Sequence, residues 1–163
     1  MLADDVNALL NDKKLLLTEV YFELQKHFES KYGPNTVVFM EIGTFVEVYE
    51  VNNDELQLGK AKEMAELLNI QLTKKNKTIV DNSTKNPLLA GVPTISFERY
   101  LNRLIQEQKY TIIYIKQRGE PPKVSRYVAK IISPGTNFNY TIGSEDNYIV
   151  SLLVDKHKDI YSI

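Results

Sequence analysis

The sequence predicts an α/β fold of the α+β kind, with a single mixed β-sheet flanked by helices and followed by the first strands of a truncated second domain. Segments with helical periodicity interleave with short β-branched and aromatic runs, which indicates helices that cover one sheet. The hydrophobic content of 43% and the charged content of 25% are typical of a soluble globular protein. After the stretch "SPGTN" the pattern changes, and a hairpin at the chain terminus cannot bury its own apolar face.

The first part of the chain predicts two helices and a hairpin. The first helix ends at Gly33-Pro34, and its apolar face consists of Leu17, Val20, Tyr21, Leu24 and Phe28. The run "NTVVFMEI" predicts a largely buried strand, and "TFVEVYEV" predicts a second strand that pairs with it through a turn at Gly43. The segment "QLGKAKEMAELLN" then predicts a helix with Ala61, Met64, Ala65 and Leu68 on its apolar face.

The next part begins with a polar loop rich in Asn, Ser, Thr and Lys, which ends in the short apolar piece "PLLAGVP". Ser96 is the predicted N-cap of a helix. Its predicted inward residues are Phe97, Tyr100, Leu101, Leu104 and Ile105. The runs "YTIIYIKQ" and "SRYVAKIISPG" predict two more strands. The resulting organisation is a first domain over 1–136, a linker over 137–146 and the beginning of a second domain over 147–163.

Composition excludes several classes of protein. The chain has no cysteine, which excludes cysteine-ligated structural zinc and thiol catalysis. No apolar run approaches the length of a membrane span, and the acidic N-terminus is unlike a signal peptide. We therefore expect an intracellular protein with no membrane partner.

A basic block lies inside a nearly neutral chain. The net charge is −1, yet the segment from Gln71 to Thr136 carries a clear excess of lysine and arginine over acidic residues. Lys74, Lys75 and Lys77 form its densest cluster. They are either part of a solvated loop or contacts to nucleic-acid phosphates, and charge alone leaves both interpretations open.

The search for catalytic residues finds none. The phosphate-binding loop, the nucleophile elbow and the zinc-binding HExxH motif are absent from the sequence. His27 and His157 are far apart in the chain, and each has the character of a surface residue. Glu120 near Lys123 suggests a metal-dependent nuclease, but nothing indicates the converging carboxylates that such a site needs. We expect no enzyme activity from this chain.

Phe45 and Glu47 lie two residues apart on a predicted strand, so they share one face. A large aromatic residue on a strand is most often part of the core. A ring and a carboxylate that both point outward would instead form a wedge and a polar probe. The face also carries Tyr49, and the pattern permits either interpretation.

Four segments, "EIGTFVEVYE", "KAKEMAELLNIQLTKK", "LLAGVP" with "FERYLNRL", and "KIISPGT", together resemble the N-terminal domain of the MutS family of DNA mismatch-repair ATPases. They occur in the family's order and at similar spacing, from about Val37 to Thr136. The segment "NYIVSLLVDKHKDIYSI" is similar to the opening strands of the family's connector domain.

The resemblance implies a DNA mismatch-recognition module with no cofactor of its own, inside a larger protein that uses ATP and Mg²⁺ and works as a homodimer on double-stranded DNA. The Phe of the family's Phe-x-Glu motif corresponds to Phe45, which would insert as a wedge and stack on a mispaired or unpaired base. Glu47 would hydrogen-bond that base, and Lys74 and Lys75 match a basic pair that contacts the DNA backbone. The implied location is the bacterial cytoplasm or another compartment that contains DNA.

Two residues depart from the family pattern: Val46 replaces the usual Tyr, and Thr44 replaces the usual acidic residue before the Phe. These changes suggest a divergent branch of the family. One rival interpretation is a protein-interaction or architectural module that kept the fold and lost mismatch sensing. It would be favoured by a buried Phe45 or by a salt bridge to Glu47. A metal-dependent nuclease is the other rival.

Overall fold

The computed structural model describes residues 3–136, 153–155 and 160–162. Its helices are α1 (Ala3–Leu10), α2 (Leu17–Tyr32), α3 (Ala61–Leu68) and α4 (Phe97–Gln106). Its strands are β1 (Thr36–Ile42), β2 (Phe45–Asn52), β3 (Gln57–Gly59), β4 (Leu72–Lys74), β5 (Leu88–Pro93), β6 (Thr111–Arg118), β7 (Ser125–Ile132), β8 (Leu153–Asp155) and β9 (Ile160–Ser162).

Strands β1 to β7 form one mixed sheet, which confirms the predicted α+β class. The strand order is β4-β5-β2-β1-β6-β7, and β3 pairs with β2 beside this path. The β1–β6 pair is parallel, whereas β1–β2, β2–β5 and β6–β7 are antiparallel. The predicted hairpin of β1 and β2 is confirmed, and its turn contains Gly43 with a φ of 60°.

Helix α2 packs on one face of the sheet and also completes the hydrogen bonding of β1. The β1–β2 ladder begins only at Met40, so the first part of β1 lacks β2 as a backbone partner. The fully buried Gln25 fills this gap, because its amide accepts from Val38 N at 3.0 Å and donates to Thr36 O at 2.8 Å. The Tyr21 hydroxyl donates to Val38 O at 2.8 Å. Buried backbone groups are thus satisfied by side chains.

Helix α4 covers the opposite face of the sheet. The Phe97 ring lies 5.4 Å from the Phe39 ring and 4.6 Å from the Tyr114 ring, measured between centroids. Phe39 and Val38 are neighbours on β1 and therefore point to opposite faces. The apolar core consequently lies in two layers, between the sheet and the helices on each side.

Two local predictions were wrong. Residues 57–59 form β3 instead of the first turn of α3, because Gly59 has a φ of 88° and lies so close to β2 that a Cβ on it would come within 2.1 Å of Tyr49 O. Ser96 precedes α4 but does not cap it, since its hydroxyl donates to Pro93 O at 3.0 Å. Its backbone lies in a short 3₁₀ turn over Thr94–Ser96, away from the extended conformation that capping requires.

Strands β8 and β9 pair with each other in an antiparallel ladder. They fall in the region where the sequence predicts two strands of a second domain. The predicted linker 137–146 and His157 lie outside the described residues. The division into domains stays a prediction.

Candidate nucleic-acid interface

Phe45 is an exposed aromatic residue at one end of the sheet. It is the first residue of β2, where it pairs with Ile42 of β1 and Pro93 of β5. Its exposed fraction is 45%, so the ring is not part of the core. Ile95, which is 95% exposed, follows closely in the turn after β5. This end of the sheet therefore presents apolar groups to the solvent.

The turn before Phe45 is braced from two sides. The Gln117 side chain on β6 clamps Gly43, because its amide donates to Gly43 O at 2.8 Å and accepts from Gly43 N at 3.2 Å. The carbonyl of Thr44 accepts from Thr94 N at 2.9 Å. Thr44 thus contributes a backbone contact where the family pattern has an acidic side chain. The ring is carried on a turn held in place by hydrogen bonds.

Glu47 lies on the same face of β2 as Phe45 and is partly buried. Its carboxylate accepts a hydrogen bond from the hydroxyl of Tyr49. Burial, followed by the charge of Glu47, raises the pKa of Tyr49 far above its ordinary value, so this phenol remains a neutral donor. In the part of the chain that the structure describes, Glu47 forms no salt bridge.

The three lysines lie far from Phe45. In the β4–β5 ladder Lys74 pairs with Leu88, whereas Phe45 pairs with Pro93 at the other end of β5. At a rise of roughly 3.3 Å per residue, these ends are about 17 Å apart along the strand. Lys75 and Lys77 are exposed. The structure therefore places Phe45 and Glu47 on one strand face and separates Phe45 from the lysines.

The loop over 75–87 is organised around two side chains. The Lys74 ammonium donates to Val80 O at 2.6 Å and to Ile79 O at 3.4 Å. The buried amide of Asn86 accepts from Asn76 N at 2.7 Å and donates to Asp81 O at 2.8 Å. Part of the donor capacity of Lys74 is therefore used within the protein, although an ammonium group has three donors.

Comparison with known proteins identifies the family. The family model of MutS domain I matches residues 18–140 of this chain. The chain belongs to the MutS family. A putative DNA mismatch repair MutS homolog of Acanthamoeba polyphaga mimivirus is 26% identical over 151 residues, which is 92% of this chain and 13% of that protein. The DNA mismatch repair protein MutS of Leuconostoc mesenteroides is 29% identical over 144 residues, 84% of this chain and 15% of its own length.

A third relative, the MutS protein of Methanosarcina barkeri, is 30% identical over 134 residues, or 78% of this chain and 14% of that protein. The chain thus spans only about a seventh of the length of the curated relatives that it matches. MutS domain I is a DNA-binding module that recognises mismatches in MutS proteins. The resemblance inferred from the sequence is confirmed.

The described residues of this MutS domain were searched for a metal site and for a membrane-spanning helix. Among the described residues, no group of three or more His, Cys, Asp or Glu side chains could hold a metal ion. No helix within the described ranges is long and apolar enough to cross a membrane.

Two contacts at this site were not inferred from the sequence, the one between Tyr49 and Glu47 and the one between Gln117 and Gly43. The sequence pattern placed Tyr49 on the face of Glu47, two positions further along the strand, and this spacing could have indicated the hydrogen bond between them. Gln117 gave no signal, since its contact with Gly43 depends on how β6 aligns with β1. The DNA contacts of Phe45, Glu47, Lys74, Lys75 and Lys77 stay predictions.

Proposed function

We propose that this MutS domain I recognises a mispaired or unpaired base by inserting Phe45 beside it and hydrogen-bonding it with Glu47. The domain would act within a larger, homodimeric, ATP-dependent mismatch-repair protein whose ATP and Mg²⁺ bind outside this chain. The observation that carries the proposal is an exposed phenylalanine and a partly buried glutamate on one strand face, at a braced end of the sheet.

The proposed selectivity comes from the cost of deforming DNA. An apolar wedge that enters a base step unstacks it and kinks the duplex, at a cost of a few kcal/mol. A mismatched or unpaired base has already lost pairing and stacking, so the cost is lower there. Stacking on Phe45 would return about 1–3 kcal/mol with any base, because every base has a π-face. Such a sensor accepts many kinds of mispair.

Glu47 would add discrimination through its charge. A carboxylate near the phosphates is unfavourable on matched DNA, where nothing offsets the repulsion. At a kinked defect, the edge of a displaced base can donate a hydrogen bond to it. Lys75 and Lys77, and the donors of Lys74 not used by the loop, would contact phosphates and position the duplex without reading its sequence.

The test is binding of the full-length protein that carries this domain to a duplex with one G·T mispair or one unpaired base, and to its matched twin, at a stated salt concentration. Phe45→Ala should abolish the preference for the defect, and Glu47→Ala should reduce it. Val80→Ala is the matched control, since Val80 is 93% exposed but lies in the loop at the far end of β5. Equal binding of wild type to both duplexes would instead favour the interaction module.

A further inference from the structure

The carboxylate of Glu47 is held at one of its two oxygens. Tyr49, two residues further along β2, donates its hydroxyl proton to Oε2 of Glu47. Among the described residues, none donates to Oε1. The side chain is therefore restrained by one donor and keeps a second acceptor oxygen.

The donor itself is fixed. Tyr49 is only 3% exposed, and its ring lies edge-on to the Tyr21 ring, with 4.9 Å between centroids and 88° between planes. Tyr21 is fully buried and anchored to β1 through its hydroxyl on Val38 O. Close packing on this scale leaves the Tyr49 hydroxyl little freedom to move. A rigid donor fixes the orientation of whatever accepts from it.

We propose that Tyr49 is the positioning residue of Glu47: by holding Oε2, its hydroxyl turns Oε1 toward the base that the domain recognises. This inference rests on the proposed role of Glu47. An unrestrained glutamate would have to lose rotamer freedom when the DNA binds, whereas this one has already lost it in the free protein. Tyr49 touches no DNA in this scheme and acts only through the carboxylate.

Removal of the hydroxyl alone is the first test. In the full-length protein, Tyr49→Phe keeps the buried ring and should lower the ratio of defect to matched affinity by roughly three- to tenfold, the equivalent of one net hydrogen bond. In a Glu47→Ala background the same change should have no further effect, because the group it positions is gone. Tyr110→Phe is the matched control, since it removes the hydroxyl of another buried tyrosine, one that donates to a different glutamate, Glu63, at 2.6 Å, and it should leave the ratio unchanged.

An amide at position 47 gives a second test with the opposite sign. The amide of Glu47→Gln has one acceptor and one donor group. With Tyr49 present, the hydroxyl holds the amide oxygen and the NH₂ group faces the base. The preference for an unpaired thymine, whose N3–H is a donor, should then be lost as in Glu47→Ala. Adding Tyr49→Phe frees the amide to turn its oxygen outward, so the double variant should regain part of the preference.

Each result decides between the proposals. If Glu47→Ala lowers the ratio but Tyr49→Phe does not, Tyr49 is a core residue and this inference fails alone. If Tyr49→Phe raises the ratio, its hydroxyl restrains Glu47 against binding, and positioning is again wrong. If Glu47→Ala itself has no effect, the proposed role of Glu47 fails and this inference fails with it. If Tyr49→Phe does not fold, a comparison of Glu47→Gln with Glu47→Ala still tests the proposal. An amide that Tyr49 positions loses the preference as fully as Glu47→Ala does, whereas an unpositioned amide would retain part of it.

Discussion

Gly91 lies opposite Glu47 in the β2–β5 ladder, and a Cβ on Gly91 would come within 3.1 Å of both Glu47 Cγ and Val46 O. The stem of the glutamate side chain therefore passes over a position that has no side chain of its own. Such a distance is closer than ordinary van der Waals contact, so either the carboxylate or the strand would have to move.

We expect Gly91→Ala to displace Glu47 and to lower the discrimination between defect and matched duplexes. Overpacking at this point should also reduce the free energy of unfolding by about 1–2 kcal/mol. Competition binding with the two duplexes and urea denaturation measure the two effects. Gly135→Ala is the control, because among the described residues a Cβ on Gly135 would have no atom within 4 Å apart from those of its chain neighbours. Unchanged discrimination in Gly91→Ala would mean that the glutamate stem has room to adjust.

The hairpin at this site could be predicted from the sequence because its signals are local. The continuous apolar run of β1, the β-branched and aromatic run of β2 and Gly43 between them define the two strands and the turn. The residue pattern alone left the exposure of Phe45 open, since a large aromatic residue is most often buried, and only the family resemblance implied an outward ring. The tertiary arrangement places Phe45 beside Pro93 at the end of β5, a pairing that the sequence pattern does not encode.

The role of Lys74 also depends on contacts that the sequence pattern does not encode. Lysine clusters in polar segments predict solvated or phosphate-binding groups equally well. The contact of Lys74 with Val80 O arises only when the loop over 75–87 folds back on itself. The short strand β3 escaped prediction for a different reason: its three residues run almost directly into the helical pattern of α3, although its partners on β2 are close in the chain.

Glu63 joins α3 to the beginning of β6 and gives the fold a dependence on pH. Its Oε1 accepts from Lys109 Nζ at 2.7 Å and from Tyr110 OH at 2.6 Å. Burial raises the pKa of Glu63, but these two hydrogen bonds outweigh burial and leave the pKa below its ordinary value. A carboxyl group whose pKa is lower in the folded than in the unfolded state stabilises the fold at a pH above its unfolded-state pKa. This stabilisation is lost as the pH falls through the folded-state pKa.

Glu63→Gln should therefore lower stability slightly at neutral pH and should flatten the loss of stability below about pH 4.5, near the ordinary pKa of a glutamate. The neutral-pH effect is small because both partners are partly exposed. Urea denaturation midpoints measured from pH 7 to pH 3 test this. A parallel decline of wild type and variant across that range would show that Glu63 is not part of the acid sensitivity.

Asn86 should be the main stabilising residue of the loop over 75–87. Its buried amide serves Asn76 N, Asn76 O, Ile79 O and Asp81 O. Asn86→Ala removes the side-chain partner of Asn76 N, Asn76 O and Asp81 O, which should cost about 2 kcal/mol and speed proteolytic cleavage within the loop. Asn82→Ala is the matched control, because its buried Oδ1 has no partner among the described residues and its loss should cost little. Equal cleavage rates in the two variants would contradict this role.

Lys75 and Lys77 should act on affinity without acting on discrimination. Both are exposed at the end of β5 that lies away from Phe45, so a phosphate contact there is made on matched and defective DNA alike. Each alanine substitution should weaken binding to both duplexes equally and reduce the slope of log K against log salt by about 0.9. Binding isotherms at several salt concentrations, measured with both duplexes, give both the salt slope and the ratio of defect to matched affinity.

Lys74→Ala should show the same change in slope together with faster proteolysis of the loop over 75–87, because its ammonium also holds Val80 O. Lys26→Ala is the control for a general change of charge, since Lys26 lies on α2 and pairs with Glu23 at 3.3 Å. A change of slope in Lys26→Ala as large as in Lys75→Ala would assign the effect to net charge. If Lys75→Ala lowered the ratio of defect to matched affinity but left the slope of log K against log salt unchanged, this lysine would lie at the defect, and a backbone contact would be contradicted.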